Sequence, residues 1–180
     1  TAGFFLTQEH GLPHAKETRR LTVSRTGGNQ TVRAVVQRVR RGAVTVHGDI
    51  VGRTGPGLVT LVGVTHGDTP AQAERLADKI ANLRIFEDEA GKMNRSLLET
   101  GGGAMVVSQF TLYANVRRGR RPDFVAAAPP QIAEPLVAHL VDSLRRLGVP
   151  RVDTGVFGAH MMVEIENDGP VTIILDTEQM

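Results

Sequence analysis

The stretch GPGLVTLVGV at residues 55–64 decides how the surrounding chain folds. Its Gly-Pro-Gly start predicts a tight turn. The nearly all-apolar run Leu58–Val64 predicts a strand that is buried on both faces. Thr69 and Pro70 then predict the start of a helix, because they supply a cap residue and a proline at the first helical position. Apolar residues at helical spacing carry this helix to about Phe86.

The chain before this stretch is rich in β-forming residues. Arg33–Val39 and Ala43–His47 are predicted strands, and Asp49–Thr54 follows a turn at His47–Gly48. After the first helix, Asp88–Leu98 is polar and typical of a loop.

The C-terminal half predicts one more helix between strands. Ala104–Tyr113 is a predicted strand, and Pro129–Leu147 is a predicted helix that stops at Gly148. Two closing strands are expected at His160–Glu166 and Val171–Asp176. Since strands and helices do not alternate strictly, we predict an α+β fold with a curved, barrel-like β-sheet and two covering helices in a single domain.

Composition excludes several classes of site. The 180 residues contain no cysteine, which rules out disulfides, thiolate nucleophiles and cysteine-based metal sites. Aromatic residues make up only 4%, too few for a row of base-stacking platforms. The six histidines show no metal-ligand spacing, so we expect no metal. The apolar stretches are much shorter than a membrane span, so we expect no membrane partner.

The first 31 residues differ from the rest of the chain. They show no hydrophobic period, and they hold four basic and two acidic side chains, so residues 32–180 carry equal numbers of each charge. We expect residues 1–31 to be a disordered N-terminal extension. Because the remainder is formally neutral, attraction to nucleic acid must come from local clusters of charge.

Two polar segments are candidates for chemistry. In Ser108–Tyr113, strand alternation places Gln109, Thr111 and Tyr113 on one face, where they either line a pocket or face solvent on an edge strand. Spacing alone favours the solvent-facing interpretation. The segment Asn167–Thr172 has the composition of a hairpin turn, which is its default interpretation.

Taken together, the two segments have a more specific meaning. Ser-Gln-Phe-Thr-Leu at 108–112 and Asn-x-Gly-Pro-Val-Thr at 167–172 resemble the paired signature motifs of the D-aminoacyl-tRNA deacylase family. Further stretches resemble that family in the same order, among them 121–124 and 155–159, and the resemblance covers about Val32 to Asp176. It implies that residues 32–180 form the deacylase domain.

The resemblance implies a hydrolase without a cofactor. Its substrate is the ester of D-aminoacyl-tRNA, or of glycine mischarged on tRNA-Ala, and the products are free amino acid and tRNA. It implies a cytoplasmic homodimer with active sites at the subunit interface. The resemblance further implies that Gly169 and Pro170, joined by a cis peptide, protrude from one subunit into the site of the other and exclude L-side chains by steric clash. The expected catalytic residues are Ser108, Gln109, Phe110 and Thr111, and the expected pocket residues are Asn167, Val171 and Thr172.

Two mechanisms stay open on the sequence. Backbone N–H groups around Ser108–Thr111 can stabilise the oxyanion while the 2′-OH of the terminal adenosine assists proton transfer. Alternatively, Thr111 is a covalent nucleophile, which requires a base within hydrogen-bond reach. No histidine or lysine lies near Thr111 in sequence, although the fold can bring His160 to it.

A run of arginines follows the first motif. Arg117, Arg118, Arg120 and Arg121 are predicted to lie on an exposed loop beside the pocket, where we expect them to bind tRNA phosphates. The alternative is a solvated loop without a partner. Weaker candidates for the same role are Arg38, Arg40, Arg41, Arg145 and Arg146. A non-catalytic RNA-binding module and a structural dimer protein remain the rival functions.

Overall fold

The structure is a computed structural model, and it describes residues 31–180. Of the predicted N-terminal extension, residues 1–30 lie outside the described range. Thr31 is described and is buried, with only 1% of its surface exposed. Thr31 therefore packs with the rest of the described fold.

Eight strands and three α-helices make up the described chain, together with two short 3-10 segments. In chain order they are β1 Arg33–Val46, β2 Asp49–Thr54, β3 Gly57–Gly63, α1 Pro70–Asn82, β4 Phe86–Glu87, β5 Met93–Arg95, α2 Leu97–Thr100, β6 Gly103–Ser108, η1 Phe110–Tyr113, α3 Pro130–Arg146, β7 Val152–Thr154, β8 Met162–Asp176 and η2 Thr177–Gln179. The predicted α+β class is confirmed, and α2 is a third, short helix in a region predicted to be loop.

Strand β1 organises the main sheet, whose order is β2-β1-β3-β6-β7 with β8 on the remaining edge of β1. The first half of β1 pairs with β3 and its second half with β2, while β8 runs antiparallel along nearly its whole length. The β3–β6 and β6–β7 pairs are parallel. The two β-segments predicted on either side of residue 40 are therefore one continuous strand.

The sheet buries side chains on both faces, as the apolar run of β3 predicts. Leu58 and Val62 belong to a large core that also contains α1 and α3 residues such as Leu76 and Leu140. Val59 faces the other way, into a smaller core with Met105 and Val107 of β6 and Val39 and Val44 of β1. Helices thus cover one face, and the curvature of the sheet encloses the other. No helix among residues 31–180 has the length and apolar content that a membrane crossing needs.

The barrel nearly closes where β2 meets β7. The Arg53 N–H donates to Asp153 Oδ2 over 3.0 Å. A Cβ atom built on Gly52 would stand 2.4 Å from the Thr154 carbonyl oxygen, so a side chain at this position is sterically excluded. Glycine at position 52 is therefore a condition of the closed sheet.

Replacing Gly52 with alanine tests this closure. Gly52→Ala forces β2 and β7 apart, and we expect it to lower the free energy of unfolding by about 1–3 kcal/mol. Gly55→Ala is the matched control, because a Cβ atom there meets nothing within 4 Å; its effect should stay within about 0.5 kcal/mol. Urea unfolding measures both. Equal stability of the two variants would show that the strands separate without cost.

Candidate active site

A cavity of about 570 Å³ opens at the end of β6. One wall is Ser108, Gln109 and Phe110, and the opposite walls come from the loop around Phe124, the first turns of α3 and the loop of residues 157–161. Most of the lining is apolar, with Val62, Val64, Val107, Ala133 and Val137 among its residues. A largely apolar cavity with a few polar groups on one wall is typical of a small-ligand site.

The predicted strand Ala104–Tyr113 was wrong beyond Ser108. Gln109 ends the pairing by donating its N–H to the Val62 carbonyl over 2.7 Å, and a 3-10 turn follows. The turn packs back on Gly63, where a Cβ atom would lie 3.0 Å from the Gln109 carbonyl oxygen. Since alternation ceases at Ser108, Thr111 is exposed whereas Tyr113 is buried.

Buried polar contacts hold this 3-10 turn in place. The Tyr113 hydroxyl donates to the Thr31 carbonyl, and burial raises the Tyr113 pKa to about 12, which keeps the donor protonated. The Arg33 guanidinium lies 4.8 Å from the Tyr113 ring centroid and donates to the Leu112 carbonyl over 3.5 Å. Arg33 also pairs with Asp176 over 3.1 Å. The turn is thus joined to both β1 and the end of β8.

The buried carboxyl group of Asp68 lies close to these groups. Burial raises the pKa of Asp68 to about 6, against an opposing hydrogen bond that it accepts from the Thr65 N–H over 2.8 Å. The charge of Asp176 adds to the increase. Asp68 does not line the cavity, and its carboxylate is held within the loop after β3 by the Thr65 N–H.

Thr111 does not line the cavity of its own chain. Its hydroxyl accepts a hydrogen bond from the Gln109 side-chain amide. His160 does line the cavity, so the fold brings it beside Ser108–Phe110, but no hydrogen bond links it to Thr111 within residues 31–180. The structure therefore supplies Thr111 with an amide partner and not with a base.

The predicted hairpin between two closing strands was also wrong. Strand β8 is continuous from Met162 to Asp176, and it bulges against β1. Gln37 pairs with Thr172 but Val39 pairs with Asn167, so residues 168–171 stand opposite Arg38 alone. We call residues 168–171 the Gly-Pro bulge. The Gly169–Pro170 peptide within it is cis, as the resemblance implied.

Side chains of Asn167 and Arg38 fix the shape of the Gly-Pro bulge. Asn167 Oδ1 accepts from the Val171 N–H over 3.1 Å, and its amide donates to Thr172 Oγ1 over 3.2 Å. Asn167, Val171 and Thr172 therefore form the base of the bulge. None of the three lines the cavity of its own chain.

Arg38 is the central anchor, with only 6% of its surface exposed. Its guanidinium donates to the Ile85 carbonyl over 2.7 Å and to the Asp168 carbonyl over 3.3 Å. It also pairs with the Asp168 carboxylate at 3.2 Å and with Glu87 at 3.6 Å. Because these contacts occupy its donors inside the protein, Arg38 is unavailable for tRNA phosphate, contrary to its place among the weaker phosphate candidates.

Gly169 and Pro170 are exposed and do not line the cavity of the chain that carries them. Gly169 has φ +122°, and a Cβ atom on it would lie 2.8 Å from Val171 Cγ2 and 3.2 Å from the Arg38 guanidinium. Glycine is required there both for the backbone conformation and for space. The bulge is therefore a main-chain projection. Arg38 holds its base through Asp168, and Gly169 and Pro170 at its tip are exposed.

The arginine run lies on an exposed loop, as predicted. A bridge between Asn115 and Asp123 closes the loop, and the side chains of Arg117, Arg118, Arg120 and Arg121 make no hydrogen bond or ion pair to other described residues. The loop leads into Phe124, whose ring packs edge-on against Phe110 at 5.0 Å between centroids. Four free cations therefore lie on a segment that borders the cavity.

Several lining residues were not singled out as site residues in the sequence. Phe124 and Phe157 belong to stretches that resemble the deacylase family, so the resemblance offered a signal for them. Val137 offered none, because it belongs to the ordinary apolar pattern of α3. Only the fold brings these side chains opposite Ser108.

Comparison with known proteins agrees with this geometry. The family model described as D-Tyr-tRNA(Tyr) deacylase matches residues 35–176. A D-aminoacyl-tRNA deacylase of Thermomicrobium roseum is 62% identical over 149 residues, covering 83% of this chain and 96% of that protein. The corresponding protein of Symbiobacterium thermophilum is 59% identical over 148 residues, covering 82% and 97%.

Solved structures share the fold. One described as a c-Myc DNA unwinding element binding protein superposes with a TM-score of 0.75 at 43% identity, covering 79% of this chain and 97% of the other. A probable eukaryotic D-amino acid tRNA deacylase superposes with a TM-score of 0.71 at 19% identity, covering 81% and 99%. With the family model matching most of the chain and relatives near 60% identity, this chain belongs to the D-Tyr-tRNA(Tyr) deacylase family.

Proposed function

We propose that this protein hydrolyses the ester of D-aminoacyl-tRNA, and of glycine mischarged on tRNA-Ala, to free amino acid and tRNA. The observation that carries the proposal is the pairing of a largely apolar cavity with an anchored main-chain projection. Membership of the family and the names of close relatives support the same activity. The compartment in which tRNAs are used, the cytoplasm, is where such an enzyme acts.

The cavity is suited to the terminal adenosine of the tRNA. Phe124 and Phe157 offer flat apolar surfaces to a purine, and base–aromatic stacking contributes about 1–3 kcal/mol per base. The wall Ser108–Phe110 then stands beside the ribose and its ester. This places the reacting carbonyl at the start of the 3-10 turn.

Chiral selection requires a second copy of the chain. The Gly-Pro bulge does not line the cavity of its own chain, so it is suited to act in the cavity of a partner. Strand β8 pairs only with β1, which leaves its outer edge open within residues 31–180, and Ile174 and Met162 on this strand are 77% and 63% exposed. Exposed apolar side chains beside an open strand edge favour a homodimer at this surface.

Selection by the bulge works through exclusion. Backbone atoms of Gly169 and Pro170, placed close to the substrate Cα, leave no space for an L-side chain. A D-side chain points away from them, and glycine has no side chain to clash. Because the bulge contributes no pocket for the amino-acid side chain, many D-amino acids are accepted.

The chemistry needs a water molecule and donors for the oxyanion. Water adds to the ester carbonyl, the bond from that carbon to the ribose 3′-oxygen breaks, and the proton of the water passes to the leaving oxygen. The first N–H groups of a helical turn have no partner within it, so those of Phe110 and Thr111 are suited to bind the developing oxyanion. The neighbouring 2′-OH assists the proton transfer, and Gln109 and Ser108 help to orient the reacting groups.

Arg117, Arg118, Arg120 and Arg121 supply the charge that holds the tRNA. Their side chains pair with no other residue of the described part of the chain, and they lie on the segment that borders the cavity through Phe124. Contacts of this kind bind phosphate without reading sequence, which suits an enzyme that accepts many tRNAs.

The activity is tested with three esters. D-Tyr-tRNA and Gly-tRNA should release their amino acid at least about a hundredfold faster than L-Tyr-tRNA, because only the L-side chain collides with the bulge. Release of labelled amino acid measures each rate. Binding without release would indicate a non-catalytic RNA-binding module, neither binding nor release would indicate a structural dimer, and equal rates on both enantiomers would refute the steric mechanism.

Thr111→Ala separates the two mechanisms. If the backbone binds the oxyanion, the variant loses only the Gln109–Thr111 hydrogen bond, and kcat should fall by less than about tenfold. A covalent nucleophile would instead cost about a thousandfold or more. Single-turnover hydrolysis of D-Tyr-tRNA distinguishes the outcomes, and a thousandfold loss would return Thr111 to the role of nucleophile.

Arg38→Lys tests the anchor of the bulge. Lysine keeps the charge but lacks the planar fork that reaches Ile85, Asp168 and Glu87 together, so the bulge loosens. The ratio of D- to L-ester hydrolysis should fall by at least about tenfold, an energy difference of about 1.4 kcal/mol. Arg40→Ala is the control, since among residues 31–180 the exposed Arg40 pairs only with the Asp168 carboxylate, at 3.5 Å. An unchanged ratio in Arg38→Lys, with circular dichroism showing a folded protein, would contradict the anchoring role.

A further inference from the structure

A second, smaller groove of about 290 Å³ continues from the cavity. Ser108, Val137 and Phe157 line both the cavity and the groove, so the two are contiguous and the Phe157 ring stands at their border. The groove runs along α3 toward Arg145 and is bounded on its other side by Thr154 and Gly155. A ligand that fills the cavity can therefore extend past Phe157 without leaving the protein surface.

The walls of this α3 groove are chemically unlike the cavity. Its floor is apolar, with Val106 and Val141 beneath it, and the small side chain of exposed Ala138 leaves the space open. Glu134 lies on the rim one helical turn before Ala138. A flat ring with polar edges fits such a surface, because its face covers the valines while its edge reaches the rim.

The charged groups of the groove are not equally available. Arg145 donates to Asp142 over 3.0 Å and to the Val152 carbonyl over 3.1 Å, so this cation and this carboxylate already satisfy each other. Glu134 makes no hydrogen bond or ion pair to any residue of the described range 31–180. Among the charged groups of the groove, the one without a partner in the described range is thus the Glu134 carboxylate, which accepts hydrogen bonds and repels phosphate.

We propose that the α3 groove binds the base of the nucleotide that precedes the terminal adenosine, with Glu134 accepting a hydrogen bond from its exocyclic amine. This rests on the proposed function. Every tRNA ends in CCA, so this base is cytosine, and its 4-amino group is a donor that carboxylates accept. The base covers the apolar floor and stacks against the side of Phe157 opposite the adenine, as single-stranded bases do on aromatic side chains.

The test uses synthetic D-tyrosyl esters of adenosine, cytidylyl-adenosine and uridylyl-adenosine. Uracil carries a carbonyl where cytosine carries the amine, so it faces Glu134 with an acceptor. We expect kcat/KM for the cytidylyl ester to exceed that for the uridylyl ester at least about tenfold, the range of one base-specific contact. The adenosine ester, which does not reach the groove, is the reference for each enzyme preparation.

Glu134→Gln should remove this preference, because its amide pairs with either base. Glu134 is exposed, and glutamine has the same shape, so the variant keeps the fold. Glu89→Gln makes the same change on an exposed carboxylate outside the groove and should keep the tenfold preference. Equal kcat/KM for the two dinucleotide esters in the unmodified enzyme, or a preference that survives in Glu134→Gln, would overturn the proposal.

A failure of the proposed function gives a different experimental result from a failure of the groove proposal. In that case D-Tyr-tRNA itself is not hydrolysed, and none of the three esters is. Binding of the free dinucleotides, monitored through chemical-shift changes of the Glu134 and Ala138 amides, then tests the groove proposal independently of catalysis. Tighter binding of cytidylyl-adenosine than of uridylyl-adenosine supports it, and equal binding overturns it.

Discussion

The position of the Gly-Pro bulge relative to the core depends on one buried guanidinium, that of Arg38. Arg38 is withdrawn from water, and a buried cation is tolerated only when its donors are satisfied. The partners that satisfy it are the Ile85 carbonyl on one side and the Asp168 carbonyl and carboxylate on the other. A planar fork can hold both sides at once, which a point charge cannot. The shape of the Gly-Pro bulge is therefore tied to the core of the fold, although its tip is in solvent.

The barrel and the cavity share their supporting residues. Strand β3 lies under Ser108–Tyr113, and the absence of a side chain at Gly63 lets the chain turn into a 3-10 segment there. Arg33 connects that segment to Asp176 at the end of β8. The wall of the cavity and the strand that bears the bulge are thus both held by β1, so neither can shift without disturbing the same strand.

Patterns among neighbouring residues predicted most helices and strands correctly. The predictions failed where contacts between residues distant in sequence determine the structure. The apolar run of β3 and the helical spacing of α1 and α3 are properties of neighbouring residues, and the structure has all three elements. By contrast, the bulge depends on Arg38 standing opposite Asp168, and the 3-10 turn depends on Gly63 beneath it. Read locally, Asn-Asp-Gly-Pro is a turn and Ser108–Tyr113 is a strand. The two motifs found the candidate site through resemblance, whereas Val137 became part of it only through packing.

The pairing of β1 with β8 joins the two ends of the described domain, since Arg33 meets Asp176 across 143 positions. Contacts so far apart in sequence form late, because the intervening chain must first be ordered. During synthesis on the ribosome, β1 emerges well before β8, so the edge of β1 that pairs with β8 stays open until Met162–Asp176 has been made. Until β8 emerges, the nascent chain therefore lacks the partner of that edge and the Asp168 groups that Arg38 contacts, and the Gly-Pro bulge forms only afterwards.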